Sequence, residues 1–533
     1  MLKVNGKPEA STAGDMPTQI LIGSLPLLVR ERTDDVLLIG LGSGVTLGSV
    51  EQFPVKQITC VELEPAVLEA TRYFEDVNNR PLEDPRLRMV SNDGRNFIYT
   101  TNEKFDVIVS EPSNPWISGV ANLFTLEYFK RGAERLKDDG LFSQWLQMYE
   151  MSPEDVRTLI ATFRAAFPQV YIFRGAEGDL MLLGSKGGRR LDLAAINSNF
   201  ERPRVAADLK RINTTLATDL LSRFYLGPDE VSALAGGARL NTDDNALIEF
   251  NAPRRVGTAE ETVQNNVKQL LAYAASPLPY LDGGAGGESG LMVNAALGAI
   301  KRDDRARAEQ FAGYSLEKEE SAQANGILGE LRIARGDESA AIASWQAALQ
   351  LDPNHFYSLI NLGKLYLTKQ DTPRAAGYLD HAIQVDPTSA RAHHLRGLAY
   401  QASGDNTHAA LEYRKALPDA QYTRSVQTFY LNFGTALIQI GLYDEASQML
   451  EEYARLAPND FDGHYQLGMA LEIEAERSLD DAKSRRAVEQ LKLALGLNPN
   501  YAMAHYYLSK AYRRLEEFEL AETEFELYER LSP

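Results

Sequence analysis

The sequence contains one cysteine, Cys60, so the chain cannot form an internal disulfide and its fold does not depend on an oxidising compartment. Cys60 lies inside a predicted strand, where a small core residue is expected. The seven histidines lack the spacing of metal ligands, and the adjacent His393 and His394 point to different sides of a helix. The sequence therefore predicts no metal cofactor.

Long apolar runs are also missing. The longest near the start, residues 20–29, has about half the length that spans a bilayer and contains Pro26. No basic segment followed by an apolar one marks a signal peptide at the N-terminus. We therefore predict a cytoplasmic chain without a membrane span.

A basic surface is the third feature that is missing. The formal net charge is -19, whereas binding to duplex nucleic acid requires a basic face that contacts phosphates. We therefore expect no nucleic acid partner, and the acidic balance is compatible with a cationic substrate.

The first part of the chain alternates short apolar strands with amphipathic helices. The predicted strands are 36–39, 58–62, 87–91, 105–109, 140–147, 170–174 and 180–185. The predicted helices include 65–74, 123–136 and 152–167. This alternation is typical of an α/β domain with a mostly parallel sheet that is covered on both faces. Ligands of such sheets bind at the carboxyl ends of the strands.

A glycine-rich turn follows the first of these strands. Residues 36–44 read VLLIGLGSG, and Gly40, Gly42 and Gly44 allow a tight turn against a nucleotide-like group. Glu62 ends the next strand, where an acidic residue accepts hydrogen bonds from ribose hydroxyls. The pattern predicts a site for an adenosine-containing ligand, although such turns also occur in α/β proteins without a ligand.

Two further acidic residues follow strands at the same predicted edge. Asp93 precedes Gly94 at the start of a helix, where it either accepts a hydrogen bond from an adenine amino group or caps the helix. Glu111 follows the strand at 105–109, in a turn made rigid by two prolines, within the sequence Ser110-Glu111-Pro112-Ser113-Asn114-Pro115-Trp116. A carboxylate held there can take a proton from an attacking amine or stabilise a cation, and the alternative is a solvated surface turn.

The second half of the chain repeats itself. Prolines recur 34 residues apart, as at Pro353 and Pro387. The small residues that recur are Gly329, Gly363, Gly397, Gly434 and Gly468 in a first helix, and Ala341, Ala375, Ala409, Ala446 and Ala521 in a second. Small residues at these places let two antiparallel helices approach closely, and each pair needs neighbours to bury its apolar faces.

Period and pattern resemble the tetratricopeptide repeat, with six units of which the fifth is expanded around residues 474–483. The resemblance implies a groove that binds a protein or peptide partner, and the alternative is a scaffold for homo-oligomers. A weaker helical pair precedes the units at residues 291–316.

The glycine-rich tract at residues 283–287 predicts a flexible linker between the two halves. We therefore predict an α/β domain over residues 1–253, a linker over 254–289 and an all-α repeat domain over 290–533.

Residues 2–250 resemble the spermidine synthase family of aminopropyltransferases, in particular its branch that is fused to tetratricopeptide repeats and often to membrane segments. The matching motifs are GLGSG at 40–44, VELEP at 61–65, NDGRNF at 92–97, FDVIVSEPSNP at 105–115 and LFT at 123–125. The resemblance implies a Rossmann-like sheet of the methyltransferase type. It also implies that Glu62 holds the ribose and Asp93 the adenine of decarboxylated S-adenosylmethionine.

In that family an aspartate after the fourth strand deprotonates the acceptor amine, which displaces methylthioadenosine from the aminopropyl group. Glu111 stands at that place here, and Asn114 stands where a second aspartate is usual. The exchange to glutamate moves the carboxylate outward, and the exchange to asparagine removes a charge for the far ammonium group. Putrescine is therefore not assured as the acceptor.

The N-terminal region departs further from the family. Thr18 stands where a tyrosine is common, and the adjacent Gln19 is a candidate substrate contact. Residues 2–11 are the remnant of a small β-domain, which implies either a fragment of a longer protein with upstream membrane helices or a more open site. Asp243 and Asp244 are candidates to replace the missing carboxylates, and the alternative is a turn that caps a strand.

Three functions follow from these residues. The first is aminopropyl transfer to an amine acceptor, with Glu111 as the base. The second is methyl transfer from S-adenosylmethionine, because fold, glycine turn and ribose acid are common to both classes. The third is a non-catalytic nucleotide-binding scaffold in which the repeats bind the partner.

Overall fold

The computed structural model describes residues 1–4, 7–115, 117, 119–283, 287–422 and 425–532. The chain forms two compact units, Met1–Ile327 and Leu328–Pro533. The first contains the mixed α/β sheet, and the second is helical. Residues 284–286 of the predicted flexible tract lie outside the described residues.

An eight-stranded sheet is the centre of the first unit, in the order β11-β8-β9-β7-β6-β3-β4-β5. Its strands are β3 (Asp35–Ile39), β4 (Gln57–Glu62), β5 (Leu87–Ser91), β6 (Phe105–Ser110), β7 (Leu136–Gln147), β8 (Gln169–Arg174), β9 (Asp179–Ser185) and β11 (Phe224–Leu226). The short strands are β1 (Leu2–Val4), β2 (Lys7–Ala10), β10 (Leu191–Asp192) and β12 (Leu281–Asp282). All seven predicted strands are present, and the predicted fold class is confirmed.

The direction of the strands divides the sheet. Strands β3 to β7 pair in parallel, which places their carboxyl ends at one edge. Strand β9 pairs antiparallel with both β7 and β8, and β11 pairs antiparallel with β8. The antiparallel return of β9 brings its first residue, Asp179, opposite the last residue of β7, Gln147.

Helices cover this sheet. They are α1 (Met16–Leu28), α2 (Val45–Val50), α3 (Pro65–Thr71), α4 (Gly94–Thr100), α5 (Leu126–Arg135), α6 (Pro153–Ala166), α7 (Leu193–Phe200), α8 (Pro203–Lys210), α9 (Ala217–Leu221), α10 (Pro228–Ala235) and α11 (Leu247–Asn251). Ser152 caps α6 in a reciprocal capping box with Asp155. The buried core includes a cluster of aromatic rings from α5, β7 and α6, such as Phe129, Phe142 and Phe163.

The segment predicted as a linker, 254–289, contains helix α12 (Ala259–Tyr273). Asn266 fixes this helix to the sheet unit, because its amide nitrogen donates to the carbonyls of Met148 at 2.8 Å and Met151 at 2.9 Å. The division between the compact units therefore comes after Ile327, and not at the predicted linker.

The helical pair predicted at 291–316 forms α13 (Glu288–Lys301) and α14 (Arg305–Lys318), and it also belongs to the sheet unit. Arg302 donates to the carbonyl of Ser222 at 2.8 Å, and the buried Arg307 donates to that of Phe224 at 2.7 Å. These charge-assisted hydrogen bonds fix the pair to the sheet unit.

Twelve further helices follow in pairs. They are α15 (Ala322–Ala334), α16 (Glu338–Leu351), α17 (Phe356–Thr368), α18 (Thr372–Val385), α19 (Ala390–Ala402), α20 (Asn406–Ala416), α21 (Val426–Gln439), α22 (Tyr443–Leu456), α23 (Phe461–Ser478), α24 (Asp481–Leu497), α25 (Ala502–Arg514) and α26 (Phe518–Leu531). A Cβ on Gly363 would lie 2.7 Å from the side chain of Leu379, which explains the small residue there. The predicted expansion lengthens α23 to 18 residues and α24 to 17.

Within the described residues, no helix is both long and apolar enough to cross a membrane.

Candidate functional site

The predicted site segments follow four neighbouring parallel strands, β5, β4, β3 and β6. Backbone hydrogen bonds join the ends of these strands: Gly40 N donates to Val61 O at 3.0 Å, Glu111 N to Ile39 O at 3.1 Å, and Asn92 N to Glu62 O at 3.1 Å. The structure therefore brings the glycine turn, Glu62, the Asp93 segment and Glu111 to one edge of the sheet.

The glycine turn requires glycine for two physical reasons. Gly40, Gly42 and Gly44 have φ values of 92°, 52° and 80°, which side chains rarely adopt. A Cβ on Gly40 would lie 2.7 Å from the carbonyl oxygen of Glu111, whereas a Cβ on Gly42 would meet nothing within 4 Å. The turn is thus packed towards the protein at Gly40 and open at Gly42, which leaves room for a ligand.

The half-buried Glu62 is held in place by the backbone around it. Its two carboxylate oxygens accept hydrogen bonds from Leu41 N and Glu64 N, each at 2.9 Å. A carboxylate fixed by two amides beside a glycine turn can accept further hydrogen bonds from ribose hydroxyls without reorganising.

Asp93 is exposed and caps helix α4, since its Oδ1 accepts a hydrogen bond from Asn96 N at 2.7 Å. Gly94 is buried, and a Cβ there would lie 2.4 Å from the side chain of Ile39. The capping role that the sequence left open is therefore present, and contact with an adenine stays a prediction for Asp93.

Glu111 is half-buried and contacts a hydroxyl that serves two acceptors. Thr46 Oγ1 lies 2.5 Å from Glu111 Oε2 and 2.9 Å from the carbonyl oxygen of Gln19. A hydroxyl has one proton, so both contacts are hydrogen bonds at once only when Glu111 is protonated and donates to Thr46.

The pKa of Glu111 agrees with that arrangement. Burial raises it from 4.5 to about 8, with smaller contributions in the same direction from the charges of Asp15 and Asp179, while the hydrogen bond from Thr46 opposes them. A carboxyl group with this pKa exchanges protons near neutral pH, as a general base must.

Sequence reasoning missed Asp179. It is 7% exposed at the start of β9, and its oxygens accept hydrogen bonds from Thr18 Oγ1 at 2.6 Å and Trp145 Nε1 at 3.1 Å. Burial raises its pKa to about 6. The available signal was a carboxylate beginning an otherwise apolar strand, DLMLLGS, but only the pairing of β9 with β7 shows that it belongs to this edge.

The other two predicted substrate contacts, Gln19 and Asn114, are buried. The amide nitrogen of Asn114 donates to Tyr149 Oη at 3.2 Å. That of Gln19 donates to Ser11 O at 3.0 Å, and its oxygen accepts from Ser43 of the glycine turn. Trp116 lies outside the described residues.

Asp243 and Asp244 were the remaining candidates for contacts with the acceptor. The carboxylate of Asp243 pairs with Arg95, and its backbone N donates to Glu127 at 3.0 Å. Asp244 is exposed in the same turn. The charge of Asp243 is therefore compensated by an arginine, and a role for either aspartate towards the acceptor stays a prediction.

No group of three or more histidine, cysteine, aspartate or glutamate side chains is arranged to hold a metal ion in the described part of the chain. The single cysteine, Cys60, is buried in β4.

Comparison with family models identifies two kinds of domain. Residues 16–174 match the spermine/spermidine synthase domain. Residues 332–399, 428–460 and 474–533 match tetratricopeptide repeats.

Similar curated proteins are polyamine aminopropyltransferases. That of Serratia proteamaculans (strain 568) is 33% identical over 194 residues, which cover 33% of this chain and 65% of the relative. That of Yersinia pestis (strain Pestoides F) is 31% identical over 198 residues, which cover 34% of this chain and 64% of the relative. The chain thus spans just under two thirds of the length of these relatives.

Solved structures align with each part of the chain. Spermidine synthase from Thermotoga maritima covers 44% of this chain and 79% of its own, at 22% identity and a TM-score of 0.35. YrrB, a tetratricopeptide-repeat protein with an unusual peptide-binding site, covers 36% of this chain and 92% of its own, at 22% identity and a TM-score of 0.32.

Proposed function

We propose that this chain, which combines a spermine/spermidine synthase domain with tetratricopeptide repeats, transfers an aminopropyl group from decarboxylated S-adenosylmethionine to an amine. The observation that carries the proposal is Glu111, a half-buried carboxyl group with a pKa of about 8 beside the glycine turn. General-base catalysis requires such a group near the reacting nitrogen.

The nucleotide binds at the ends of β3, β4 and β5 in this proposal. The open side of the turn at Gly42 receives the ligand, Glu62 accepts hydrogen bonds from the ribose, and Asp93 contacts the adenine. Glu62 supports this assignment because the amides of Leu41 and Glu64 already fix its carboxylate.

The chemical step is a displacement at carbon. The acceptor nitrogen attacks the methylene carbon bonded to the sulfonium sulfur, the new carbon–nitrogen bond forms, and the carbon–sulfur bond breaks with its electron pair staying on sulfur. Methylthioadenosine leaves, and the proton lost by the nitrogen passes to the Glu111 carboxylate. An alkylammonium group has a pKa of about 10, so the raised pKa of Glu111 narrows the gap that the proton transfer has to cross.

One incubation tests the proposal. The full chain is mixed with decarboxylated S-adenosylmethionine, S-adenosylmethionine and a panel of amines, and the products are identified by mass spectrometry. Methylthioadenosine together with an aminopropylated amine is the expected result. S-adenosylhomocysteine with a methylated product indicates a methyltransferase instead, and nucleotide binding without any product indicates a non-catalytic protein.

We further propose that the repeats bind a protein or peptide segment, since stacked helix pairs of this kind form extended binding surfaces. Sedimentation velocity of the full chain alone distinguishes this function from self-association. A single monomeric species is expected, and a concentration-dependent dimer would favour the oligomerisation scaffold.

A further inference from the structure

Thr46 contacts the carboxyl group of Glu111 and is itself fixed by helix α1. It lies in α2, two residues after Gly44 of the glycine turn, and is 2% exposed. A Cβ on Gly23 of α1 would lie 2.8 Å from the carbonyl oxygen of Thr46 and 3.2 Å from its Cγ2. Because a β-branched side chain has few χ1 states, this close packing of α1 against α2 holds the hydroxyl of Thr46 in place.

Two acceptors compete for the single proton of this hydroxyl. The carbonyl oxygen of Gln19 lies 2.9 Å from Thr46 Oγ1, and Glu111 Oε2 lies 2.5 Å from it. The carbonyl oxygen can only accept, whereas the carboxyl group donates when it is protonated and accepts when it is ionised. The direction of the hydrogen bond between Thr46 and Glu111 therefore reverses when Glu111 loses its proton.

The other surroundings of Glu111 disfavour its ionised form. Burial opposes ionisation most, and the charges of Asp15 and Asp179 add to this effect. Among the described residues, Thr46 is the one group with a hydrogen bond to the Glu111 side chain, and Glu111 Oε1 has no partner. A hydroxyl that turns towards the carboxylate is thus the one neighbour in this part of the structure that stabilises the negative charge.

We propose that Thr46 is a positioning residue that switches its hydrogen bond with the charge of Glu111. It donates to the carbonyl of Gln19 while Glu111 is protonated, and it turns to donate to Glu111 Oε2 once that proton has passed to solvent. The ionised carboxylate is then held by one oxygen, and Oε1 takes the proton from the acceptor nitrogen. This inference rests on the proposed aminopropyl transfer with Glu111 as the base.

The test is the pH dependence of kcat/KM for 1,4-diaminobutane, measured on the full chain at saturating decarboxylated S-adenosylmethionine. One amine is used for every variant, so its own ionisation contributes equally to all profiles. Thr46→Val keeps the β-branched shape without the hydroxyl, and Thr46→Ser keeps the hydroxyl without the methyl group. Thr162→Val is the control for lost stability, because Thr162 is fully buried in α6 and its hydroxyl bonds to the backbone of Thr158 and Asn241.

We expect Thr46→Val to raise the midpoint of the profile by about 1 pH unit, because the ionised carboxylate loses its donor. The kcat/KM of this variant at pH 7 should therefore be about 10-fold below the native value. Thr46→Ser should restore the native midpoint, and Thr162→Val should lower the melting temperature without moving the midpoint. An unchanged midpoint in Thr46→Val, an equal shift in Thr162→Val, or no recovery in Thr46→Ser would overturn the inference while the proposed function stands.

A native chain that forms no methylthioadenosine with any amine of the panel overturns the proposed function. Carbon-13 NMR of the full chain, labelled at the carboxyl carbon of glutamate, then still decides the inference, and it also does so if 1,4-diaminobutane alone is not turned over. The resonance that is missing from Glu111→Gln reports the protonation of Glu111. A titration midpoint about 1 pH unit higher in Thr46→Val than in the native chain supports the switch, and an equal or lower midpoint overturns it.

Thr46→Ala keeps the inference testable if Thr46→Val does not fold. Alanine lacks the hydroxyl and adds no atom against α1. The small cavity that it leaves lowers the stability, but it does not by itself move the midpoint of the profile. The proposed switch predicts the same rise of about 1 pH unit, since the donor to the carboxylate is lost. A native midpoint in the folded Thr46→Ala chain contradicts the role of Thr46.

Discussion

The proposed site has a nucleotide side and an acceptor side, and their carboxylates differ in burial and in hydrogen-bond partners. On the nucleotide side, the carboxylates are exposed or half-buried and are engaged by backbone amides: Glu62 by Leu41 and Glu64, and Asp93 by Asn96. On the acceptor side, Asp179 is buried and Glu111 is half-buried, their hydrogen-bond partners are neutral side chains, and both carboxyl groups have raised pKa values.

The difference indicates which of these carboxylates would take part in the proposed reaction. Carboxylates that cap turns also stabilise the fold, so their position is fixed whether or not a ligand binds. Desolvated carboxylates without a counter-ion are costly in the folded protein, and groups of this kind are concentrated at functional sites. We therefore expect replacements on the acceptor side to change the proposed reaction most directly.

The largest effect is expected from Glu111→Gln, which removes the base. We expect kcat to fall by about 100- to 1,000-fold, within the usual range of general-base catalysis, while the Kd for methylthioadenosine stays the same. Stopped assays and calorimetry measure the two quantities, with Glu177→Gln as the exposed control. An equal loss of nucleotide binding would show that Glu111 is structural and would remove the contrast between the two sides.

Glu62→Gln should produce the opposite pattern. Replacing a charged acceptor of ribose hydrogen bonds should raise the Kd for methylthioadenosine by about 10-fold, because hydrogen bonds to charged groups contribute about 1.5–3 kcal/mol. The kcat at saturating nucleotide should change little. Glu64→Gln serves as the control, since Glu64 is exposed and caps α3. A fall in kcat with unchanged Kd would contradict the assignment of Glu62 to the nucleotide.

The pH profile should follow the raised pKa of Glu111. Below pH 8 the group is mostly protonated, so kcat/KM should rise about 10-fold per pH unit up to about pH 8, and Glu111→Gln should lose this step. The stability of the folded chain should depend on pH in the opposite direction, because it should fall as the pH rises. The folded-state pKa lies above the ordinary value of 4.5, so the stabilisation is complete below pH 4.5 and is lost as the pH rises through about 8. A step near pH 4.5 in the kcat/KM profile would place Glu111 in solvent.

The smallest effect is expected from Thr18→Val, which keeps the shape of the side chain. The substitution removes the hydrogen bonds to Asp179 at 2.6 Å and from Ala176 N at 2.9 Å. We expect the free energy of unfolding to fall by about 1 kcal/mol in urea titrations followed by tryptophan fluorescence. Thr18→Ser retains the hydroxyl and should recover most of this loss. Equal stability of the valine and native chains would show that Asp179 is satisfied without Thr18.

Local patterns predicted most of the fold. Apolar runs between turn residues predicted seven strands, and the recurring small residues predicted six helix pairs, because strand and repeat formation both leave short-range signals. The glycine turn was predicted for the same reason, since the positive φ values of Gly40, Gly42 and Gly44 require glycine.

Contacts between distant segments were not predictable in this way. Asp179 lies 161 residues from Thr18 in the sequence, and its place at the site depends on the antiparallel return of β9. Asp243 lies 148 residues from Arg95, which takes up its charge. The predicted linker contains α12, whose docking depends on the hydrogen bonds of Asn266 to the turn after β7.

The sequence by itself determined the order of strands and helices, the glycine turn and the acidic residues that follow β4, β5 and β6. These features are encoded by residues that are close together in the chain. Tertiary structure alone decided which acids are buried together and which are compensated. It placed Asp15 and Asp179 where their charges raise the pKa of Glu111, and it paired Asp243 with Arg95. Burial and the distance between charges arise only when remote segments pack, and these quantities set the protonation and the binding chemistry of the site.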